Sequence, residues 1–203
     1  AGPPGDVWHS SHSGSLSSSA SGSHSSSTTG APGSSASGAL FTSDPGATFL
    51  GEVHVDCSAL VPRVALPHQP ANGVPVSEVA GRTIDWVFLG TCTGGRANDF
   101  REALRMLDAG GGIAPGVTLV VTPPSPRVRE ALEADGTMGR MAAHGAVITE
   151  TGCGPCCGTS GPLPPPRARI LSTANRNFRA RMGEPSAEIH LASPATCAAA
   201  ATE

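Results

Sequence analysis

The chain has 203 residues, enough for one domain with a real core or for a domain plus a tail. Thirteen cationic against sixteen acidic side chains give a formal net charge of −3, so no basic field argues for nucleic acid. No apolar run approaches the roughly 18 residues of a membrane span. All cations are Arg and there is no Tyr, a bias that reflects a GC-rich coding sequence rather than chemistry. The opening Ala1-Gly2-Pro3-Pro4-Gly5 lacks the charged and apolar regions of a secretory signal. It also lacks an initiator Met, as expected of a processed or incomplete chain. The expected compartment is the cytoplasm. Six Cys in so long and aliphatic a chain read as metal or redox chemistry rather than as a disulfide scaffold.

Residues 1–40 are dominated by Ser, Gly, Ala and His. Such a segment cannot bury enough apolar surface to offset its ordering entropy, so it is expected to be disordered. Its His9, His12 and His24 read as solvated side chains. An ordered domain is expected over 41–203. Thr48 to Val55 alternates apolar residues and reads as a strand, and Pro62 to Ser77 as a loop rich in Pro, Gly and Asn. Ile84 to Leu89 is a short apolar strand, buried on both faces. The stretch Asn98 to Leu107 has helical spacing, with Phe100, Leu104 and Leu107 on one face. Val117 to Val121 is a buried strand. Pro126 to Ala134 is a helix with Pro in its first turn. Strands follow at Ala146 to Thr149, Ala168 to Leu171 and Glu188 to Leu191. Ser193-Pro194 then opens an Ala-rich terminal helix as N-cap and N1.

This order of strands and helices predicts an α/β fold with a mainly parallel sheet. Three motifs follow strands directly: Cys92 in Gly90-Thr91-Cys92-Thr93-Gly94-Gly95-Arg96, Cys153 and Cys156 in Gly152-Cys153-Gly154-Pro155-Cys156, and Asn175-Arg176-Asn177-Phe178 with Arg181. In open α/β sheets, ligands bind beyond the carboxyl ends of the strands, so the three can converge on one site. Cys-Gly-Pro-Cys is also a thioredoxin-type redox sequence, but that use needs a helix starting at the motif to lower a thiol pKa. The following Cys157 to Pro166 is too rich in Gly and Pro to begin one. A zinc site would need a fourth ligand, for which Cys57 or Cys157 are candidates. Iron–sulfur ligation by Cys92, Cys153 and Cys156 fits better.

Residues from about 41 to 203 resemble the C-terminal part of an aconitase-type hydro-lyase large subunit, most closely 3-isopropylmalate dehydratase and homoaconitase. The carrying segments are Asp85 to Asp99, Ala114 to Ser125, Gly152 to Gly158, Ser172 to Gly183 and Leu191 to Ala200. The resemblance implies a three-layer α/β/α domain and a 4Fe-4S cluster held by Cys92, Cys153 and Cys156. It implies that Asn175 hydrogen-bonds near the cluster and that Arg176 and Arg181 bind substrate carboxylates. Arg suits that task through a permanent charge and a planar fork. The implied reaction isomerises a hydroxy di- or tricarboxylate by dehydration and rehydration. First choice is 3-isopropylmalate dehydratase of leucine biosynthesis; the alternatives are homoaconitase or aconitase-type chemistry, or a non-catalytic remnant.

Arg96, Asn98 and Asp99 are expected to cap the following helix. Gly94 departs from the family's usual Asn, and Cys157 stands where an aliphatic residue is more usual. Cys57 and Cys197 are expected to be small buried hydrophobes, and His54, His68, His144 and His190 structural or surface residues. The family's preceding half, with its His and acidic residues, and its small swivelling domain or subunit are not recognisable here. Both are implied partners, together with a small hydroxy-carboxylate; truncation, frameshift and splitting are all open. A domain without its usual neighbours is expected to be poorly soluble alone.

Overall fold

The structure, a computed structural model, describes residues 43–203; the expected tail over 1–40 lies outside the described residues. Two units are distinguished, one ending at Val53 and the other spanning His54–Glu203. In the first, Ala47 N donates to Asp44 O at 3.0 Å and closes a turn. Among the described residues, the regular elements all lie in the second.

Seven strands form one sheet: β1 Arg63–Ala65, β2 Gly73–Pro75, β3 Trp86–Gly90, β4 Thr118–Thr122, β5 Val147–Ile148, β6 Arg169–Ser172 and β7 Glu188–Leu191. Their order is β2-β1-β7-β6-β3-β4-β5. The five from β7 to β5 run parallel, and the hairpin β1–β2 joins β7 antiparallel. The predicted α/β class with a mainly parallel sheet is therefore found. Strand β3 is buried at every position, as expected of a central parallel strand covered on both faces.

The pleat divides β3 between two cores. Val87 and Leu89 face a helical layer with Phe100, Leu104, Leu107, Leu132, Met141 and Cys197. Trp86 and Phe88 face the other side with Cys156, Ala174 and Met182. The helices of the first layer are α1 Ala97–Ala109, α2 Pro126–Ala134, α3 Thr137–Ala143 and α5 Pro194–Ala200. The second face is covered by loops and by the single turn α4, Gly154–Cys157.

Local chemistry accounts for the helix starts. Ser125 accepts from Val128 N at 3.4 Å and Ser193 from Thr196 N at 3.2 Å, each with Pro at the next position. Asp99 reaches back to accept from Arg96 N at 2.9 Å, and Asn98 accepts from Arg101 Nη1 at 2.8 Å, so the expected capping role of this segment holds. Burial of each large side chain on α1 contributes about 1.5–3 kcal/mol.

Four expectations are corrected. Thr48 to Val55 forms no strand: Phe49, Leu50, Val53 and Val55 are exposed, and its alternation finds no partner strand among the described residues. Pro62 to Ser77 is not wholly loop, since three-residue strands at either end pair into a hairpin. The Cys-Gly-Pro-Cys segment does start a helix, but for one turn only, because Gly158 at φ 68° ends it. Cys57 is exposed, whereas Cys197 is fully buried as expected.

Candidate functional site

Strands β3 and β4 run to one side and β6 and β7 to the other, so the chain reverses its direction of travel across the sheet between β3 and β6. This is the switch point of the sheet, and in open α/β sheets ligands bind at such a point beyond the carboxyl ends of the strands. Thr173 holds the two strand ends together: its Oγ1 accepts from Gly90 N at 2.9 Å and donates to Gly90 O at 3.3 Å. Gly94 packs on the same side chain. A Cβ at Gly94 would collide with Cβ and Oγ1 of Thr173, so a larger residue there would require the threonine to move.

The three motifs converge here. Cys92 follows β3 and is exposed. Gly152 N donates to Pro123 O at 3.1 Å, which leads the chain from β5 back over β4 and into α4. Cys153 is exposed and Cys156 is 3% exposed. The loop after β6 then returns over α4, where Gly158 and Gly183 touch backbone to backbone. A Cβ on Gly158 would collide with Gly183 N and Cα, so only glycine lets the cysteine loop and the arginine loop meet.

At that meeting Arg181 Nη2 donates to Cys156 Sγ at 3.5 Å, and the guanidinium lies 5.8 Å from the centre of the Phe178 ring. Burial pushes the Cys156 thiol pKa up, while the Thr91 hydroxyl and the Arg181 charge pull it part of the way back. A redox cysteine of the thioredoxin type needs the opposite, a lowered pKa at the start of a longer helix. Cys157 turns inward on its own loop and donates to Cys153 O at 3.1 Å.

The other predicted residues are placed differently. Asn175 and Arg176 are exposed, and Arg176 Nη1 donates to the Asn175 carbonyl at 2.8 Å. Asn175 borders a surface groove with Pro70 and Leu191, so the β1–β2 loop rims this end of the sheet. Asn177, which is fully buried, anchors that loop through Nδ2 to Leu66 O at 2.8 Å. Of the histidines, His190 is buried and bonded through Nδ1 to backbone carbonyls of Ile170 and Glu188, and His144 bonds Asp108. Both serve the fold.

Sequence reasoning missed Thr91, Thr173, Gly158 and Gly183. Thr91 and Ala180 hold left-handed backbone, at φ 56° and 60°, immediately before Cys92 and Arg181. Such strain concentrates at functional sites. Among the described residues, no three His, Cys, Asp or Glu gather about one point that could hold a lone metal ion. A multi-iron cluster takes its thiolates on separate irons, so its donors need not meet at a point. Soft thiols, one of them buried beside a cation, suit such a cluster in donor chemistry.

The molecule is thus an α/β protein with a mainly parallel sheet that carries thiols and a guanidinium beside its switch point. The family model for the aconitase family (aconitate hydratase) matches residues 21–203, and the chain belongs to that family. It is 47% identical to the homoaconitase large subunit of Thermus thermophilus over 150 residues, which cover 74% of this chain and 36% of that protein. It is 46% identical to the 3-isopropylmalate dehydratase large subunit of Thermococcus kodakarensis over 150 residues, 74% of this chain and 39% of that one. The 3-isopropylmalate dehydratase large subunit 1 of Thermotoga maritima is also 46% identical, over 153 residues and 36% of its length. The chain thus spans a little over a third of the length of these curated relatives. Among the described residues no helix is long and apolar enough to cross a membrane.

Proposed function

We propose that this chain carries the cluster-holding domain of an iron–sulfur hydro-lyase large subunit, with 41–203 as the domain and 1–40 as a low-complexity tail. The observation that carries the reading is the contact of Arg181 Nη2 with Cys156 Sγ at 3.5 Å. It joins a candidate carboxylate-binding residue to a candidate cluster ligand across 25 residues of sequence. A bare cluster-holding remnant would not need that arginine.

Cys92, Cys153 and Cys156 hold a 4Fe-4S cluster, and the Asn175 amide donates a hydrogen bond towards it. When bound, the cluster supplies a Lewis acid at the iron that has no protein ligand. Arg176 and Arg181 bind the substrate carboxylates and orient the molecule. Arg181 does so from a half-buried position, where a charge–charge contact is stronger than in open water. Arg176 exchanges the Asn175 carbonyl for a carboxylate, a better acceptor. Their fixed charges offset the negative charge that develops as a proton leaves the carbon beside a carboxylate. The base that takes that proton belongs to the remainder of the large subunit or to a small swivelling subunit. The relatives' designation as large subunits supports a small-subunit partner.

The reaction is the dehydration and rehydration of a hydroxy di- or tricarboxylate in the cytoplasm, and 3-isopropylmalate is the first choice of substrate. Homoaconitase chemistry is the second reading, since the homoaconitase relative is 47% identical against 46% for the dehydratases. The test is anaerobic reconstitution with iron and sulfide counted, for the chain and a Cys92→Ser variant. An oxygen-sensitive four-iron cluster that fails to assemble in the variant is expected. Zinc, or no metal in either protein, would overturn the cluster.

A further inference from the structure

A cavity of about 240 Å³ lies on the helical face of the sheet, bounded by α5, by β6 and β7 and by the segment that leads from β2 to β3. Its walls are aliphatic, with Val64, Val79, Ile84 and Leu171. None of the lining residues belongs to the cysteine or arginine motifs. The volume lies somewhat below the roughly 300 Å³ at which sites for drug-sized ligands begin, so it suits a smaller molecule. His190, 4% exposed, adds a polar group to the wall. Its Nδ1 lies 3.2 Å from the carbonyl oxygens of both Ile170 and Glu188. Carbonyls only accept, so the ring proton sits on Nδ1. Burial lowers the His190 pKa and keeps the ring neutral. Nε2 is therefore an acceptor, and it has no partner among the described residues. Unlike the buried Nδ1 of His68, it is not sealed inside protein, so a molecule in the cavity can reach it.

Arg82 and Glu203 are exposed and line the same cavity, so they stand at its mouth. Neither side chain has an ion pair or hydrogen bond among the described residues. Arg169, the other cation there, is already committed: its Nη1 donates to Thr83 O at 2.8 Å and to Thr83 Oγ1 at 3.0 Å. A complementary molecule therefore has an aliphatic body, an anion for Arg82 and a donor for His190. A carboxylate with no other charge would meet Glu203 as a like charge, and an amine alone would leave Arg82 unpaired. An ammonium and a carboxylate on one carbon satisfy both ends of the mouth and the histidine. We propose that this cavity binds a small aliphatic α-amino acid, its side chain against Val64, Val79, Ile84 and Leu171, its carboxylate on Arg82 and its ammonium donating to His190 Nε2 on the side of Glu203. The site is independent of the cluster reading above and stands or falls without it.

The test titrates the 203-residue chain with L-valine, L-leucine and L-methionine by calorimetry, alongside Arg82→Gln and His190→Asn. Asparagine keeps a donor near the place of Nδ1 and removes Nε2. Saturable binding of at least one of the three amino acids to the wild type is expected, weakened about tenfold or more in either variant. Two analogues of leucine probe the ends separately: 4-methylpentanoate lacks the ammonium and 3-methylbutylamine lacks the carboxylate. Each should bind at least about tenfold more weakly than L-leucine. If His190→Asn fails to fold by circular dichroism, Arg82→Gln and the two analogues carry the test. No saturable heat with any of the three amino acids would overturn the proposal. So would binding that Arg82→Gln leaves unchanged, or an analogue that binds as tightly as L-leucine, since either would mean apolar adsorption without recognition of the charged ends.

Discussion

Ala180 holds φ 60° in the loop between β6 and β7, one residue before Arg181 and three before Gly183. A left-handed conformation costs an L-residue with a Cβ roughly 1–2 kcal/mol, a cost that glycine avoids. Glycine gives back part of that through the greater freedom of its unfolded chain, about 0.4–1 kcal/mol. Ala180→Gly should therefore stabilise the domain by up to about 1 kcal/mol, read as a higher urea midpoint at unchanged slope. A lower midpoint would show that the backbone there is not held under strain. Thr91 holds a similar conformation, at φ 56°, one residue before Cys92. Neither was legible in the sequence, because φ at a non-glycine residue is imposed by the fold around it. Cys92, Cys153 and Cys156 could be singled out in the sequence because each motif follows an apolar strand, and the structure sets them after β3 and β5.

Strands and helices were legible in proportion to their burial and their caps. Trp86 to Leu89 and Leu119 to Val121 are continuous apolar runs, and the fold buries both. Ser125-Pro126 and Ser193-Pro194 announce helices that start where expected. The hairpin at 63–75 escaped notice because its strands are only three residues long, the second reads Gly73-Val74-Pro75, and the loop between them carries Pro67 and Pro70. Helix α3 escaped because its seven residues start after a left-handed Gly136 and carry little pattern of their own. Charge adds to the apolar packing that holds α2 and α3 against α1. Asp108 on α1 accepts from Arg140 Nη2 at 2.6 Å and from His144 Nε2 at 2.8 Å. Asp135, the C-cap of α2, accepts from Arg101 Nε at 2.8 Å and Thr137 N at 3.0 Å. His144 first, and Arg140 after it, hold the Asp108 carboxyl below the usual range. Thr137 first, and Arg101 after it, hold Asp135 at about 2. A folded pKa below the unfolded value of about 3.9 means that the stabilisation is complete above that pH and is lost as pH falls through the folded value. The melting temperature should therefore begin to fall below about pH 6.5, because burial lowers the His190 pKa and the unfolded chain takes up that proton first, and fall further between about pH 4 and 2 as the two aspartates protonate. Asp135→Asn should start lower and fall less steeply over the same window. Parallel curves for the two proteins would remove Asp135 from the account.

At the scale of the whole molecule, exposed apolar side chains are concentrated in one stretch of sequence. Phe49, Leu50, Val53, Val55, Leu60 and Val61 are all exposed, Phe49 at 71% and Val53 at 87%. Scattered exposed aliphatics need no explanation, but six within thirteen residues of chain make a sticky segment unless something covers them. The expected behaviour of the isolated chain is concentration-dependent self-association, visible as a rise in weight-average mass by light scattering. Replacing Leu50, Val53 and Val61 together by Ser should suppress that rise. It should leave the far-UV spectrum and the cluster content unchanged, because none of the three contributes to either buried core. Adding salt separates this from charge attraction: hydrophobic association persists or strengthens in sulfate, whereas association through charges weakens as salt screens them. A wild-type chain that stays monomeric across the concentration series, and unfolds in a single cooperative transition, would show that the segment needs no cover.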